Sequence, residues 1–259
     1  MAKKSQSESI KFSKLRRLNL IAGLLHAASA LAVLVLSTGF MLPVSGNYLS
    51  FNIATQRLDP ASKVLFDLSL VWLIVGFFVL SAAAHLVIAT VYRKRYESDL
   101  KKGINKARWI EYSLSASLMM VAISLLVGIY DLGSLIMIFS LTSVMNLLGL
   151  AMEITNQGRE KPYWVTYWIG CLAGIVPWVV VALYFYLSAQ NGSSTQTFVY
   201  WIFVSIFVFF NLFAINMILQ YKKIGRWSDY LYGERAYVIL SLVAKSALAW
   251  QVFAGTLRP

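Results

Sequence analysis

One cysteine, two histidines and eleven acidic residues in 259 positions leave little material for several kinds of chemistry. The lone Cys171 excludes an intramolecular disulfide and a thiolate metal cluster, and it reads as a small buried apolar residue. His26 and His85 show no ligand-type spacing, so a transition-metal site built from them and a carboxylate has no motif behind it. No nucleotide-binding or hydrolase motif appears, and direct catalysis is not expected. Charged residues make up 13% of the chain, where a soluble domain carries about 25%. A secretory leader is also missing. The opening MAKKSQSESIKFSKLRR is polar and basic with no cleavage site behind it, so the first apolar segment is expected to stay in the mature protein.

What the chain has instead is apolar length. Hydrophobic residues reach 59%, against about 45–50% in soluble domains, which predicts an integral membrane protein. Seven segments are long enough to cross about 30 Å of hydrocarbon: Leu18–Thr38, Val64–Tyr92, Ala107–Ile129, Leu132–Met152, Trp164–Ser188, Thr197–Tyr221 and Glu234–Leu257. The expected fold is an all-α, seven-helix membrane bundle forming one domain over 1–259, with no room for a separate soluble domain. Residues 1–17 read as a basic N-terminal segment. The one long connection, 39–63, contains Pro43, Gly46, Asn47, Asp59 and Pro60. It predicts a structured loop, with a strand over Asn47–Ile53 and a possible β-hairpin.

The net charge of +12 would suggest nucleic acid on a soluble protein. Here its placement gives it another meaning, and no nucleic-acid partner is expected. Six basic residues precede the first span: Lys3, Lys4, Lys11, Lys14, Arg16 and Arg17. Seven lie between Arg93 and Arg108, and Arg159, Lys161, Lys222, Lys223, Arg226 and Arg235 fall in later loops on the same side. The opposite side has Arg57, Lys63 and Arg258. This excess marks the cytoplasmic face, so the N-terminus is expected inside the cell membrane and the C-terminus outside. Most of these cations are anchors that touch anionic lipid, at roughly 1 kcal/mol each near the surface.

Lys245, in the run SLVAKSALAWQ, stands apart as the only Lys or Arg that this reading places inside an apolar segment. A charge at the bilayer centre costs roughly 3 kcal/mol on insertion scales, which makes it a functional candidate. One way to keep it there is to use its amine covalently, as a Schiff base with an aldehyde cofactor. Such a linkage, when protonated, needs a counterion. Glu111 in RWIEYSLSAS lies in the cytoplasmic half of the third span. Lys245 is about 17 Å into the seventh from that side, so the two long side chains can meet. The plain alternative is a structural ion pair between two helices. Ser241, one turn before Lys245, shares its face and can hydrogen-bond either group or serve helix contact. His26 and His85 fall in the same half as Glu111 and can accept a proton. The other half offers Asp131 at a span end and no further acid facing Lys245.

Eight Trp, 14 Tyr and 15 Phe are mostly belt or lipid-facing residues in this reading. A few could wall a long apolar cofactor. Pro177 invites a kink beside Trp178, Phe209 and Phe210 lie in the sixth span, and Met119 and Met145 supply adaptable surface. Gly170-x-x-x-Gly174 allows close helix approach in the fifth span.

The runs RWIEYSLSAS, GCLAGIVPW and GERAYVILSLVAKSALAWQ resemble the heliorhodopsins, the inverted branch of the microbial rhodopsins. Ordinary microbial rhodopsins have the opposite orientation, so the charge-derived topology agrees with the resemblance. The resemblance implies all-trans retinal on Lys245 as a protonated Schiff base, with Glu111 as counterion and Ser241 beside it. It implies that His26 and His85 line a proton-accepting cavity, and that Trp178, Phe210, Met119 and Met145 line the retinal pocket. Ser29, three residues after His26, stands where the family carries other polar residues. A homodimer and an outer-face β-hairpin are implied as well. The expected function is light sensing with a slow photocycle, no net ion pumping, and a possible cytoplasmic signalling partner. The alternatives are light-driven or light-gated ion transport, and light-dependent regulation of a soluble enzyme through the basic loop Arg93–Arg108.

Overall fold

The computed structural model describes residues 2–190 and 197–258. Positions 1, 191–196 and 259 lie outside the described residues, as do the side chains of 2–5, 7, 8 and 197, Lys3 and Lys4 among them. Among the described residues, seven helices are long and apolar enough to span a membrane. These are α1 (Ala2–Leu36), α2 (Leu70–Ala89), α4 (Lys106–Leu126), α5 (Leu132–Thr155), α6 (Val165–Gln190), α7 (Thr197–Tyr221) and α8 (Tyr230–Val252). A short helix α3 (Arg93–Lys101) joins α2 to α4. The packing order runs α1–α2–α4–α5–α6, and α8 closes the bundle against α1 and α7.

Three expectations are corrected at the edges of the spans. The first helix does not begin at Leu18, because residues 2–17 of the basic segment are already part of α1. Phe12 and Leu15 on that extension are buried with Tyr96 and Leu100 of α3, and Lys11 pairs with Asp229 at 2.9 Å. The second span does not begin at Val64. Val64–Ser69 belong to a strand, and helix starts only at Leu70. A continuous apolar run cannot by itself tell a strand from a buried helix. Here Phe66, Leu68 and Ser69 pair with Val44, Leu42 and Met41. The last span begins four residues earlier than Glu234 and ends in a π-helical turn over Phe253–Leu257.

The hairpin is present and longer than expected: β1 (Met41–Asn52) pairs antiparallel with β2 (Arg57–Ser69). Its turn is set by Asn52, whose side-chain oxygen accepts from the amides of Ala54 at 3.0 Å and Thr55 at 3.3 Å. Gln56 takes φ 52° to close it. The hairpin is pinned to the bundle where Ser45 N–H donates to the Tyr130 carbonyl at 2.8 Å. Next to it, Asp131 caps α5 and accepts from Ser134 N at 2.8 Å. The Ser134 amide and hydroxyl hold the Asp131 carboxyl below the usual carboxylate range. Asp131 is therefore committed to capping.

The bundle thus has two unlike ends. One carries the hairpin, Asp131 and the C-terminus, tied by Thr38 N–H to the Leu257 carbonyl at 2.7 Å. The other carries α3 and the loops between α5 and α6 and between α7 and α8, and is rich in Lys and Arg. Among the seven spans α4 is the most enclosed, with 72% of its apolar window buried. It is therefore the helix on which interior chemistry has to be built.

Helices approach closely where α5 meets its neighbours. A Cβ on Gly174 would collide with Met145 Sδ, and one on Gly149 with the Trp109 ring. The expected close approach at Gly170 and Gly174 is present, with Gly170 against Leu148 and the Met145 carbonyl. Gly149→Val should overpack the α4–α5 contact and cost about 1–3 kcal/mol. Gly39→Ala, at a site with open space, should stay within about 0.5 kcal/mol. Thermal unfolding followed by circular dichroism checks both, and equal midpoints would remove the Trp109–Gly149 contact as a packing constraint.

Candidate functional site

Lys245 occupies the middle of α8 and is 3% exposed. Side chains on a helix lean toward its N-terminus. Lys245 does so, reaching back past Ser241 toward the basic end. Its Nζ donates to Ser241 Oγ at 2.8 Å and to Glu111 Oε1 at 2.9 Å. The Tyr112 ring lies beside it, 5.0 Å from Nζ to the centroid. The ion pair expected between the third and seventh spans is therefore formed, and it is buried on both sides.

Glu111 has a partner that sequence reasoning missed. Ser81 of α2 donates to Glu111 Oε1 at 2.6 Å and also lies 2.9 Å from the Phe77 carbonyl. Ser81 and His85 are one turn apart on α2, and there Ser81 meets α4 while His85 meets α1. His85 Nδ1 lies 2.8 Å from Asn19 Oδ1, and the His26 ring stacks on His85 with centroids 5.6 Å apart. Neither ring nitrogen of His26 has a protein partner. Thus α1, α2, α4 and α8 bring His26, His85, Glu111 and Lys245 to one region of the bundle. No three His, Cys, Asp or Glu among the described residues are placed to hold a metal ion.

The reading that Lys245 is the only Lys or Arg inside an apolar segment does not hold. Arg108 is 7% exposed and lies between two buried carboxylates, Glu153 of α5 and Glu234 of α8. It was counted with the basic loop because it sits at the start of an apolar run. The structure puts it one turn inside α4, where Asn105 is the N-cap and accepts from Arg108 N at 3.0 Å. Asn105 also donates to Glu234 Oε2 at 2.6 Å and, through its backbone, to Glu153 Oε2 at 2.8 Å. The guanidinium lies over the Tyr237 ring at 3.8 Å and beside Trp109 at 4.6 Å. A signal was available, because Arg108, Glu111, Tyr112, Ser115 and Met119 recur at three- and four-residue spacing on one face of α4. Tyr112 joins the two charged groups by donating to the Tyr237 carbonyl at 2.9 Å.

Beside Lys245 lies a space of about 50 Å³ walled by Met119, Met145, Phe210 and Phe213. Met145, Asn146, Phe210 and Phe213 also line a cavity of about 510 Å³ between α5, α6 and α7. Trp178 belongs to the wall of the larger cavity and packs edge-on to Phe210 at 5.4 Å. Phe209 lines neither and packs on the main core. Together the two spaces put a charge-paired amine at one end of an apolar, aromatic-walled channel. Ser115, also in the wall, presents a buried hydroxyl on the same face of α4 as Glu111. The residues present therefore fit a long apolar molecule attached through Lys245.

The family model described as Heliorhodopsin matches residues 15–257. No curated protein sequence matches the chain. Among solved structures the chain is similar to a light-driven proton pump, LR (Mac), from Leptosphaeria maculans. That likeness has a TM-score of 0.58 at 16% identity and covers 94% of this chain and 93% of that one. At such identity it shows the shared seven-helix fold.

The Arg108 cluster generates a test independent of any chromophore. Arg108→Leu leaves two buried carboxylates without their cation and should cost about 3–5 kcal/mol. Replacing Arg108, Glu153 and Glu234 together by Leu should recover most of that loss, because no charge remains uncompensated. Unfolding midpoints from circular dichroism measure both, and a triple variant as unstable as the single one would show that the cluster is not held by charge.

Proposed function

The chain belongs to the heliorhodopsin family, and from that premise we propose that it is a light sensor holding all-trans retinal on Lys245 as a protonated Schiff base. The single observation that carries the reading is the buried pair of Lys245 Nζ and Glu111 Oε1 at 2.9 Å, at the mouth of an apolar channel. When bound, retinal supplies visible absorption and a light-driven change of double-bond geometry.

The chain's own residues do the rest. Lys245 Nζ is the attachment atom. Glu111 balances the positive charge there, since an opposite charge within about 4–6 Å favours both ionised forms. Ser81 and Ser241 each fix one member of the pair by a hydrogen bond. Met119, Met145, Phe210 and Trp178 exclude water from the apolar length. A proton leaving Nζ has Glu111 as its nearest carboxylate. Beyond Ser81 lie His85 and the unpartnered nitrogens of His26, which can hold it without release.

Absence of net pumping is part of the proposal. A pump needs titratable relays on both sides of the central amine. Among the described residues the buried carboxylates are Glu111, Glu153 and Glu234, none of them at the hairpin end. Asp131, at that end, is held as a helix cap. The excess of Lys and Arg at the α3 end supports a cytoplasmic N-terminus. The signalling surface is then the end that carries α3.

Adding all-trans retinal to the purified apoprotein should produce a visible band, and Lys245→Ala should abolish it. Glu111→Gln removes the balancing charge and should move the band to longer wavelength, with Ser81→Ala giving a smaller shift in the same direction. A band unchanged in Glu111→Gln removes Glu111 from the counterion role. In voltage-clamped cells, illumination should give no sustained current, and a steady photocurrent would replace the sensor reading with a transporter.

A further inference from the structure

We propose that the polar cavity at the α3 end is a binding site for a small phosphate-type oxyanion. This cavity, of about 220 Å³, lies between the α3–α4 turn, the α5–α6 loop and the α7–α8 loop. It is separate from the channel at Lys245, and nothing in the light-sensing reading uses it.

The chemistry follows from which lining groups are already committed. Asn156 is bound to the Met152 and Tyr163 backbones, Trp227 Nε1 donates to Asn216, and Ser228 donates to the Gly225 carbonyl. The floor carboxylate of Glu153 shares the Arg108 guanidinium with Glu234 and accepts from Tyr230. What remains at the rim is Lys102 from one segment, Arg159 from the second and Lys223 from the third. None of the three has an ion-pair partner among the described residues, and Arg159 lies 5.5 Å from the Tyr163 ring centroid. Glu160 supplies one opposing charge, so the uncommitted rim carries a net excess of two cations.

Three cations from three separate segments around one cavity suit a compact multivalent anion better than a single carboxylate. Arg159 offers a planar fork for two oxygens, and the two lysines act as point charges. The loops lie beyond the ends of the spans, where either a soluble phosphate ester or an anionic lipid headgroup can reach. An occupant would sit against Glu153, which through Arg108 is joined to Glu234 on the same helix as Lys245.

Calorimetric titration of the full chain with inorganic phosphate, against chloride at matched ionic strength, tests the site. Saturable binding is expected. Lys102→Ala, Arg159→Ala or Lys223→Ala should each weaken it about two- to fivefold, as for the loss of one exposed charge pair. The triple variant should lose measurable binding, while Lys94→Ala, a cation at the same end outside the cavity, should leave it unchanged. A second arm separates the sources. In nanodiscs of phosphatidylcholine with phosphatidic acid, retention of the acidic lipid by the wild type and its loss in the triple variant would assign the site to a headgroup. Neither saturable phosphate binding nor retained lipid, or a triple variant that binds as well as the wild type, overturns the proposal. These readouts need no retinal, so their failure leaves the light-sensing reading standing.

Discussion

Everything in the interior is arranged around the contact between Lys245 Nζ and Glu111. Two charges in a water-poor core attract strongly, but taking them out of water costs several kcal/mol each unless geometry and further hydrogen bonds compensate. The chain provides that compensation from three helices. Ser81 from α2 holds the carboxylate, Ser241 from α8 holds the ammonium, and the Tyr112 ring of α4 lies beside the cation. Removing any one of the three leaves a buried charge partly unsatisfied. The positions of α2, α4 and α8 relative to one another are set by this requirement as much as by apolar packing.

A second ion system lies on the same two helices, nearer the basic end. Arg108 precedes Glu111 by three residues on α4, and Glu234 precedes Lys245 by eleven, about three turns, on α8. Tyr112 and Tyr237 span the interval, the first bonded to the second's carbonyl and the second stacked under the guanidinium. Buried charge therefore runs from the centre of the bundle toward one end only, whereas the charges of the hairpin, Arg57, Asp59, Lys63 and Asp67, lie on its exposed or half-exposed surface. This one-sided polarity gives a change at Lys245 a contiguous set of polar contacts toward the α3 end. Contiguity is a physical route for coupling and is not by itself a measurement of it.

The spans, the Lys245–Glu111 pair, the grouping of the histidines and a hairpin in the first loop were legible because each leaves a local mark. A lysine in an apolar run, a carboxylate one half-span away and a Pro-, Gly- and Asn-containing loop are visible without tertiary information. The boundaries were less so. Val64–Ser69 is apolar enough to pass for membrane helix, and only pairing with Met41–Val44 makes it strand. Arg108, Glu153 and Glu234 escaped for a different reason. Each sits at the edge of an apolar segment, where a charge is ordinarily a solvated anchor, and what buries them is mutual contact between three helices. Ser81 and Asn19 escaped because a serine or asparagine in a membrane helix more often serves packing. Their roles exist only once Glu111 and His85 are beside them.

The two halves of the bundle are held by different forces, and that difference bears on function. Helices α1, α2, α4 and α8 are joined by ion pairs and hydrogen bonds with fixed directions. Where α6 meets α7 the contacts are rings: Trp178 against Phe203, Phe207 and Phe210, and Phe185 against Tyr200 and Phe203. Ring contacts are strong in sum but tolerate sliding, and Met145, wedged against Gly174, has three rotatable side-chain bonds. The apolar channel lies on this compliant side, while the amine that anchors it belongs to the rigid side. A change of shape in an occupant of the channel would therefore be taken up first by the ring contacts of α6 and α7 and by Met145 of α5, a helix whose other end is tied to α4 through Glu153 and Arg108. The loops at the α3 ends of those helices form two of the three walls of the basic cavity, so displacement of the compliant half would reach the protein surface at the point where its uncommitted charges converge.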